Sequence, residues 1–586
     1  MADSDGKDKD GISRRSLLGA TTIAATIPGL GLKAAGAQDD VAEQDAGQAP
    51  SQAAAAAAPY NVILIITDEE AYHLRPTEGY ALPAREELKR RGTTFENHYI
   101  GAAMCTPSRG VMFSGQPPQV NGVYDQMEAG YVPSLRRDRP SIGTIFKQLG
   151  YETAYFGKFE LKRSIITASD SINYSTALQD YGFDQFAPDG DKVGAPNQGY
   201  ETDRFTAAEA VRWLRTNGQA INEAGKPWLL VVSFVSPHDI MYGEVNQPGT
   251  ETQVSQVGMT INPPPDERSF QTEWSFPPSP SHDQPLDTPG RPRAQLSYMI
   301  GWSAFLGEIP VGATEMWNDY YNYYLNLIRE NDHTLQRLVN AIGDLGLWDN
   351  TVVFRTADHG ELGGSHGGLR GKGPLPYEQE VHVPAVIVHP EHEGGRQCHA
   401  LTSHIDLLPT LVGLTGISSS QTEPLLEGLP GRDASILLQS PEDQPVSALR
   451  EAILFNYVGL QTIDALYMMR VCRAIAQGEW APPFSVDKPD LTRRGFVSCV
   501  YDGRHKYARY FSPLLLQRPT SFDDLMQNFE IELFDLQSDP DEVNNLGADP
   551  ANRDLIMTMN QLLNTMLGRE VGEAQLSFLP SSLFET

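Results

Sequence analysis

The first strand-like signal in the chain is the run Val-Ile-Leu-Ile-Ile at residues 62–66, closed by Thr67-Asp68-Glu69-Glu70. An unbroken β-branched run of that length predicts a strand buried on both faces, as in the middle of a parallel sheet. Carboxylates just past its C-terminal end occupy the edge where α/β sheets place their chemistry. Runs of the same kind occur at 228–235 and 351–356, with shorter ones at 152–156 and 385–388. Helical spacing fills the intervals at 83–91, 141–149, 205–217, 314–345 and 405–414. This alternation predicts an α/β fold, a large doubly wound mixed sheet flanked by helices. Beyond about residue 440 the pattern shortens to strand-like pieces at 452–457, 496–501 and 506–511, then a helix at 552–567. These predict a smaller C-terminal antiparallel-sheet subdomain, giving a main α/β domain over 59–440 and an α+β subdomain over 441–586.

Two stretches fall outside the rhythm. Residues 262–293 are rich in Pro, Ser and Asp, a length and composition expected of a lid or a disordered insertion, and a place for residues that choose the substrate. At the start, Ser13-Arg14-Arg15-Ser16-Leu17-Leu18 precedes a modest apolar run and Ala35-Gly36-Ala37. Paired arginines, a weak apolar core and an A-x-A site predict a twin-arginine signal peptide over 1–37. An Ala/Gln-rich flexible linker follows over 38–58. The expected location is therefore periplasmic or extracellular, with the twin-arginine export machinery as a transient partner.

The 586 residues carry a formal charge of -30, which argues against nucleic acid as a partner. Any anionic substrate must then meet a local positive site. Four cysteines, Cys105, Cys398, Cys472 and Cys499, are too few for a disulfide scaffold, although a Cys472–Cys499 bridge stays open. Cys105 opens Cys105-Thr106-Pro107-Ser108-Arg109 ahead of an expected helix. A helix N-terminus and an arginine one turn on favour a bound oxyanion or a thiolate there. A buried loop cysteine is the plainer alternative.

The pentapeptide resembles the C-x-P-x-R signature of the type I, formylglycine-dependent sulfatases of the alkaline phosphatase superfamily. Residues 61–68, 155–158, 236–238, 356–372 and 532–546 resemble further family segments in family order. The resemblance implies sulfate monoester hydrolysis by a formylglycine made from Cys105, with a formylglycine-generating enzyme as a maturation partner. It assigns catalytic roles to Cys105, Arg109, Lys158, His238 and Lys372. It assigns one divalent metal ion to Asp68, Glu69, Cys105, Asp358 and His359. Ca²⁺ leads in that assignment, and the imidazole admits Mn²⁺ or Zn²⁺. The hydrated aldehyde would attack sulfur in line, and its second hydroxyl would expel sulfate. The implied substrate is a sulfate-ester small molecule or carbohydrate.

This chain departs from the family in three places. Asp68-Glu69 replaces a common Asp-Asp, Asp358-His359 replaces a common Asp-Asn, and Glu160 stands where a histidine usually follows the lysine. The acidic residue suggests selection of a cationic or hydroxyl-rich leaving group. The histidine at 359 keeps open a phosphonate monoester or phosphodiester hydrolase with the same machinery. A non-catalytic binding relative is a third reading. His366 either touches substrate or packs.

Overall fold

The computed structural model describes residues 59–584, apart from 77, 167–173, 187–189, 516–517 and 573–577. The expected signal peptide and linker lie outside the described residues. The large sheet is built from β1 (Asn61–Asp68), β2 (Thr93–Phe95), β3 (Glu152–Gly157), β4 (Gln185–Phe186), β5 (Trp228–Pro237), β6 (Thr351–Ala357), β7 (Ala385–Val388) and β8 (Arg396–Cys398). Their order is β4-β3-β5-β1-β6-β7-β2-β8. The pairs from β4 to β6 are parallel, whereas β7 runs antiparallel to both its neighbours. The sheet is therefore mixed, as expected.

All eight residues of β1 are buried, because successive side chains feed two different cores. Val62, Leu64 and Ile66 join one cluster with Leu229, Val231, Val352 and Phe354. Ile63 and Ile65 join another with Leu230, Val232 and Val353 on the opposite face. Each fully buried side chain of this size contributes about 1.5–3 kcal/mol of transfer free energy. Period-2 geometry thus turns one continuous apolar run into the partition between two helical layers.

The helices that matter for the site are α1 (Pro83–Arg91), α2 (Cys105–Ser114), α3 (Gln198–Trp213), α4 (Arg293–Leu306) and α5 (Thr314–Asp344). Helix α3 begins seven residues before the expected start at 205. Its first N–H groups are capped from afar: Gly199 and Tyr200 donate to the Asp239 carboxylate at 2.9 and 2.7 Å. Helix α1 is capped likewise by Asp332 on α5. Such long-range caps satisfy the orphan donors of a helix start without leaving a local signature.

The second sheet contains β9 (Ile453–Tyr457), β10 (Phe496–Tyr501), β11 (His505–Phe511) and β12 (Glu530–Asp535), all antiparallel in that order. Ile453, Phe455, Val497 and Tyr510 share a core with Tyr99, Ala103 and Met104. Asn456 N–H also donates to the Gly101 carbonyl at 3.0 Å. The second sheet therefore braces the segment leading into α2 and Cys105.

Residues 262–293 are neither a free lid nor a simple excursion. Trp274 donates from its ring nitrogen to Asn326 on α5 at 2.9 Å, and His282 meets the Gly364 carbonyl at 2.6 Å. The insertion is thereby fastened to the loop that carries Lys372. Helix α4, unassigned from sequence, follows it and packs on a second unassigned helix, α6 (Ala465–Ala476). A Cβ on Gly301 would lie 2.5 Å from the Met468 sulfur, so this close crossing uses the missing side chain. Among the described residues no helix is long and apolar enough to cross a membrane.

Candidate active site

Four adjacent parallel strands, β3, β5, β1 and β6, deliver their next residues to one edge of the sheet. They place Lys158, His238, Asp68-Glu69 and Asp358-His359 there. The β1–β6 register pairs Thr67 with Ala357, and Asp358 N–H donates to the Thr67 carbonyl at 3.0 Å. The two aspartates are neighbours by strand pairing. Glu69 sits in the left-handed region, φ 70°. It is held there by its N–H to Asp358 Oδ1 at 3.1 Å and by the Tyr324 hydroxyl on its carbonyl at 2.8 Å. A non-glycine residue locked into such a conformation is characteristic of a functional edge.

Cys105 is the first residue of α2, whose ten residues are all buried, including Thr106, Ser108 and Arg109. The Thr106 N–H is satisfied by Gln126 Oε1 at 2.9 Å. Cys105 Sγ lies 3.1 Å from His359 Nε2 and 3.7 Å from Asp68 Oδ1. Its thiol is pushed well above the ordinary range, by burial first and by Asp68 second. The unmodified side chain is thus held as a thiol rather than a thiolate nucleophile.

Arg109 lies one turn along and uses its whole guanidinium. Nε donates to Asp358 Oδ2 at 2.8 Å, and Nη1 to the Lys158 carbonyl at 2.8 Å and Ser233 Oγ at 2.9 Å. Nη2 lies 3.4 Å from Asp68 Oδ2. One planar fork, with no exposed surface, therefore ties α2 to four strands, β1, β3, β5 and β6.

Lys158 reaches this cluster because Gly157 turns β3 sharply, with φ 100°. A Cβ at Gly157 would stand 1.8 Å from the Ser233 carbonyl oxygen, so only glycine fits between β3 and β5. The Lys158 ammonium sits 2.6 Å from Asp68 Oδ2 and 3.1 Å from Glu160 Oε2. Lys372 pairs with Glu69 Oε2 at 2.6 Å. Its loop is pinned by Glu361, which accepts from the N–H groups of Gly363 and Gly371 at 2.9 Å. His238 Nε2 lies 3.9 Å from Glu69 Oε2.

Burial works to raise Asp68, but the cations Lys158 and Arg109 outweigh it and hold the carboxyl well below its usual range. Burial pushes Glu69 well up; Lys372 opposes this, while Glu361 and Asp68 add to it. Burial lowers both His238 and His359, keeping the imidazoles neutral. His359 Nδ1 donates to the Gly360 carbonyl at 3.0 Å, so Nε2 presents a lone pair to Asp68, Asp358 and Cys105. Ligand atoms of Asp68, Cys105, Asp358 and His359 all lie within 4.8 Å of one another. Two carboxylates, an imidazole fixed by a backbone carbonyl and a Cys side chain fit a divalent cation. The unpartnered buried Glu69 Oε1 also points to missing positive charge.

Every site residue expected from sequence thus converges on one sheet edge, with Glu69 on the Lys372 side rather than inside the four-residue cluster. Glu70, the third acid of the first motif, is instead structural: Arg85 at 2.7 Å and Arg355 enclose it. Glu160 corrects an expectation. It is fully buried and faces Lys158 and Arg109, so it acts on the cations rather than on a leaving group. Its backbone N–H, and that of Phe159, are fixed by the Asp191 carboxylate at 2.7 and 2.8 Å. Glu160→Gln should lower kcat roughly tenfold and equally for neutral and cationic leaving groups, measured with matched esters. A loss confined to cationic substrates would return Glu160 to the leaving-group role.

His366 packs: it stacks on Tyr377 with centroids 3.6 Å apart and meets Gln379 at 3.1 Å. All four cysteines are free and buried, so the open Cys472–Cys499 pairing is not made. Asp191, Ser233, Tyr324 and Glu361 escaped the sequence reading. Only the one-turn, glycine-flanked position of Glu361 in 356–372 carried any hint of a role.

Such a centre can hold a divalent cation and an oxyanion side by side at the carboxyl edge of a mixed α/β sheet. Residues 60–417 match the family model described as Sulfatase, and the chain belongs to the sulfatase family of the alkaline phosphatase superfamily. It is 26% identical over 564 residues to an Endo-4-O-sulfatase of Bacteroides thetaiotaomicron, covering 89% of this chain and 94% of that one. It is 24% identical to the Arylsulfatase K of Xenopus laevis over 62% of this chain and 64% of the relative. Several relatives are longer: the chain spans 30% of the Drosophila melanogaster extracellular sulfatase SULF-1 homolog. Among solved structures, a 2-O GAG sulfatase shares the fold with a TM-score of 0.59 at 20% identity, covering 88% of this chain and 93% of that one. A phosphonate monoester hydrolase of Agrobacterium radiobacter gives 0.58 at 20% identity, covering 87% and 96%.

Proposed function

We propose that the protein hydrolyses sulfate monoesters to an alcohol and inorganic sulfate, using one divalent cation and a formylglycine made from Cys105. The observation that carries this reading is the placement of Cys105. It opens a buried helix 3.1 Å from His359, with Arg109, Lys158 and Lys372 around it. Asp68, Asp358, His359 and the residue-105 side chain would hold the ion, with Glu69 joining if it leaves Lys372. When bound, the ion supplies Lewis-acid charge and lowers the pKa of an attached hydroxyl. Ca²⁺ suits the carboxylates, and Mn²⁺ or Zn²⁺ suits His359.

The chain's own residues do the rest. Arg109 fixes both aspartates and the turn of α2, so the residue-105 side chain is aimed before substrate arrives. Lys158, beside Asp68, and Lys372, beside Glu69, neutralise the outer oxygens of a bound sulfate as negative charge develops. His238 is kept neutral by burial, and its Nδ1 has no hydrogen-bond partner. It is available to handle a proton at the ester oxygen.

The family likeness favours a sulfated carbohydrate as substrate. A fold relative with a TM-score of 0.60 and 16% identity is described in complex with D-glucosamine-2-N,6-O-disulfate. The twin-arginine motif at 13–18 supports export to a periplasmic or extracellular location, after a cytoplasmic formylglycine-generating enzyme has acted. A second reading, a phosphonate monoester hydrolase, is favoured by His359 in the ligand cluster. Kinetics on matched aryl sulfate and aryl phosphonate esters separate the two. The expected kcat/KM is at least ~10-fold higher for the sulfate, by differential stabilisation of the two transition states. The reverse preference would establish the second reading.

A further inference from the structure

A second cluster of ligating side chains lies away from the catalytic edge, where the loop leaving β1 meets the turn Glu378–Val381. His73, Glu378 and His382 each offer a ligand atom, all within 4.8 Å of one another. We propose that this cluster is a second metal site, binding Zn²⁺ or a similar borderline cation through two imidazoles and one carboxylate.

Three features of His382 argue for it. The ring is clamped between Tyr72, stacked at 4.1 Å and 3°, and Tyr99, stacked at 4.5 Å and 20°. Its Nε2 faces the Glu96 carbonyl at 3.0 Å, so that nitrogen carries the proton. Nδ1 therefore presents its lone pair to Glu378 Oε2 at 2.8 Å. Two lone pairs at that separation require a proton or a cation between them. A backbone carbonyl fixing the tautomer of a ligating histidine is the usual support for a metal-bound imidazole.

Glu378 is equally fixed. Oε1 pairs with Lys506 at 2.7 Å, Oε2 accepts from the Tyr99 hydroxyl at 3.1 Å, and the backbone N–H donates to Glu542 at 2.8 Å. His73 stands over the pair with Nε2 4.0 Å from Glu378 Oε2. Its ring packs edge-on against both Tyr72 and His382. A tetrahedral zinc with bonds of about 2.0–2.1 Å needs ligand separations of about 3.3 Å, and the observed 2.8 and 4.0 Å bracket that value. The His73 side chain is 56% exposed and borders a cavity of about 270 Å³ that Arg75, Gln379 and Asp541 also line. The cavity gives the ion an entry route and leaves its fourth position for water. Two nitrogens and one oxygen favour zinc over calcium.

Zinc bound per chain should be counted in the mature protein by dialysis and elemental analysis, for the unaltered protein, His73→Ala and Asp358→Asn. His73→Ala should hold one zinc fewer than the unaltered protein, because the exposed imidazole is essential to the second site and dispensable for the fold. Asp358→Asn should retain that zinc while losing the catalytic ion. Zinc X-ray absorption on Asp358→Asn should then show two nitrogen neighbours. Equal zinc content in His73→Ala and the unaltered protein would overturn the proposal, leaving Glu378 and a protonated His382 as an ion pair.

Discussion

Cys105→Ala protein folds, keeps its bound cation and turns over substrate about 10⁵-fold more slowly than the wild type, at the level of the remaining site. The size of the effect follows from what the position does. Arg109, Lys158, Lys372 and the metal ligands can bind and orient a sulfate, but none supplies a covalent nucleophile. The structural cost is small because alanine removes a single buried sulfur, worth about 1 kcal/mol. The check is kcat on an aryl sulfate together with the melting temperature. Wild-type-like turnover in the alanine variant would place the nucleophile elsewhere.

Arg109→Ala should lose stability and activity together. Its guanidinium meets Asp358, Ser233, the Lys158 carbonyl and Asp68 with no exposed surface. Removing one partner of a buried ion pair costs about 3–5 kcal/mol, because the carboxylates left behind are uncompensated. The same loss unfixes α2 and Lys158, and kcat/KM should fall about 10³-fold. Arg109→Lys separates the two effects. It retains the charge but cannot span Asp358 and Ser233 at once, so stability should recover in part while activity stays about 10²-fold down. Denaturant unfolding of both variants beside kcat/KM measures this. A lysine variant as active as wild type would reduce Arg109 to a counter-ion.

The site was legible in the sequence to the extent that chemistry follows directly on strand ends. Apolar runs announce β1, β5 and β6, and Asp68, His238 and Asp358-His359 begin where those runs stop. Parallel pairing then does the gathering, since four adjacent strands in one direction end on one edge. What stayed illegible is held by partners far away along the chain. The start of α3 depends on Asp239, that of α1 on Asp332, and the left-handed Glu69 on the Tyr324 hydroxyl. Helix α4 shows no local apolar stripe because it packs closely on α6 and on the lysine loop. Helix α6 does carry one, with Tyr467, Met468, Val471, Cys472 and Ala474 on its buried side, and was legible in principle. Glu160 was visible as a departure, but its direction was not. An acidic residue beside a pocket can face substrate or a cation, and only the 3.1 Å contact to Lys158 distinguishes them.

The central claim is that residue 105 works as an aldehyde made from cysteine. It is tested most directly by the mass of the tryptic peptide spanning residues 92–109 from native-host protein, taken without alkylation. The account predicts a peptide about 18 Da lighter than the cysteine form, the change from thiol to aldehyde. A peptide at the full cysteine mass in folded, exported protein would contradict it, leaving a site that binds sulfate esters without cleaving them.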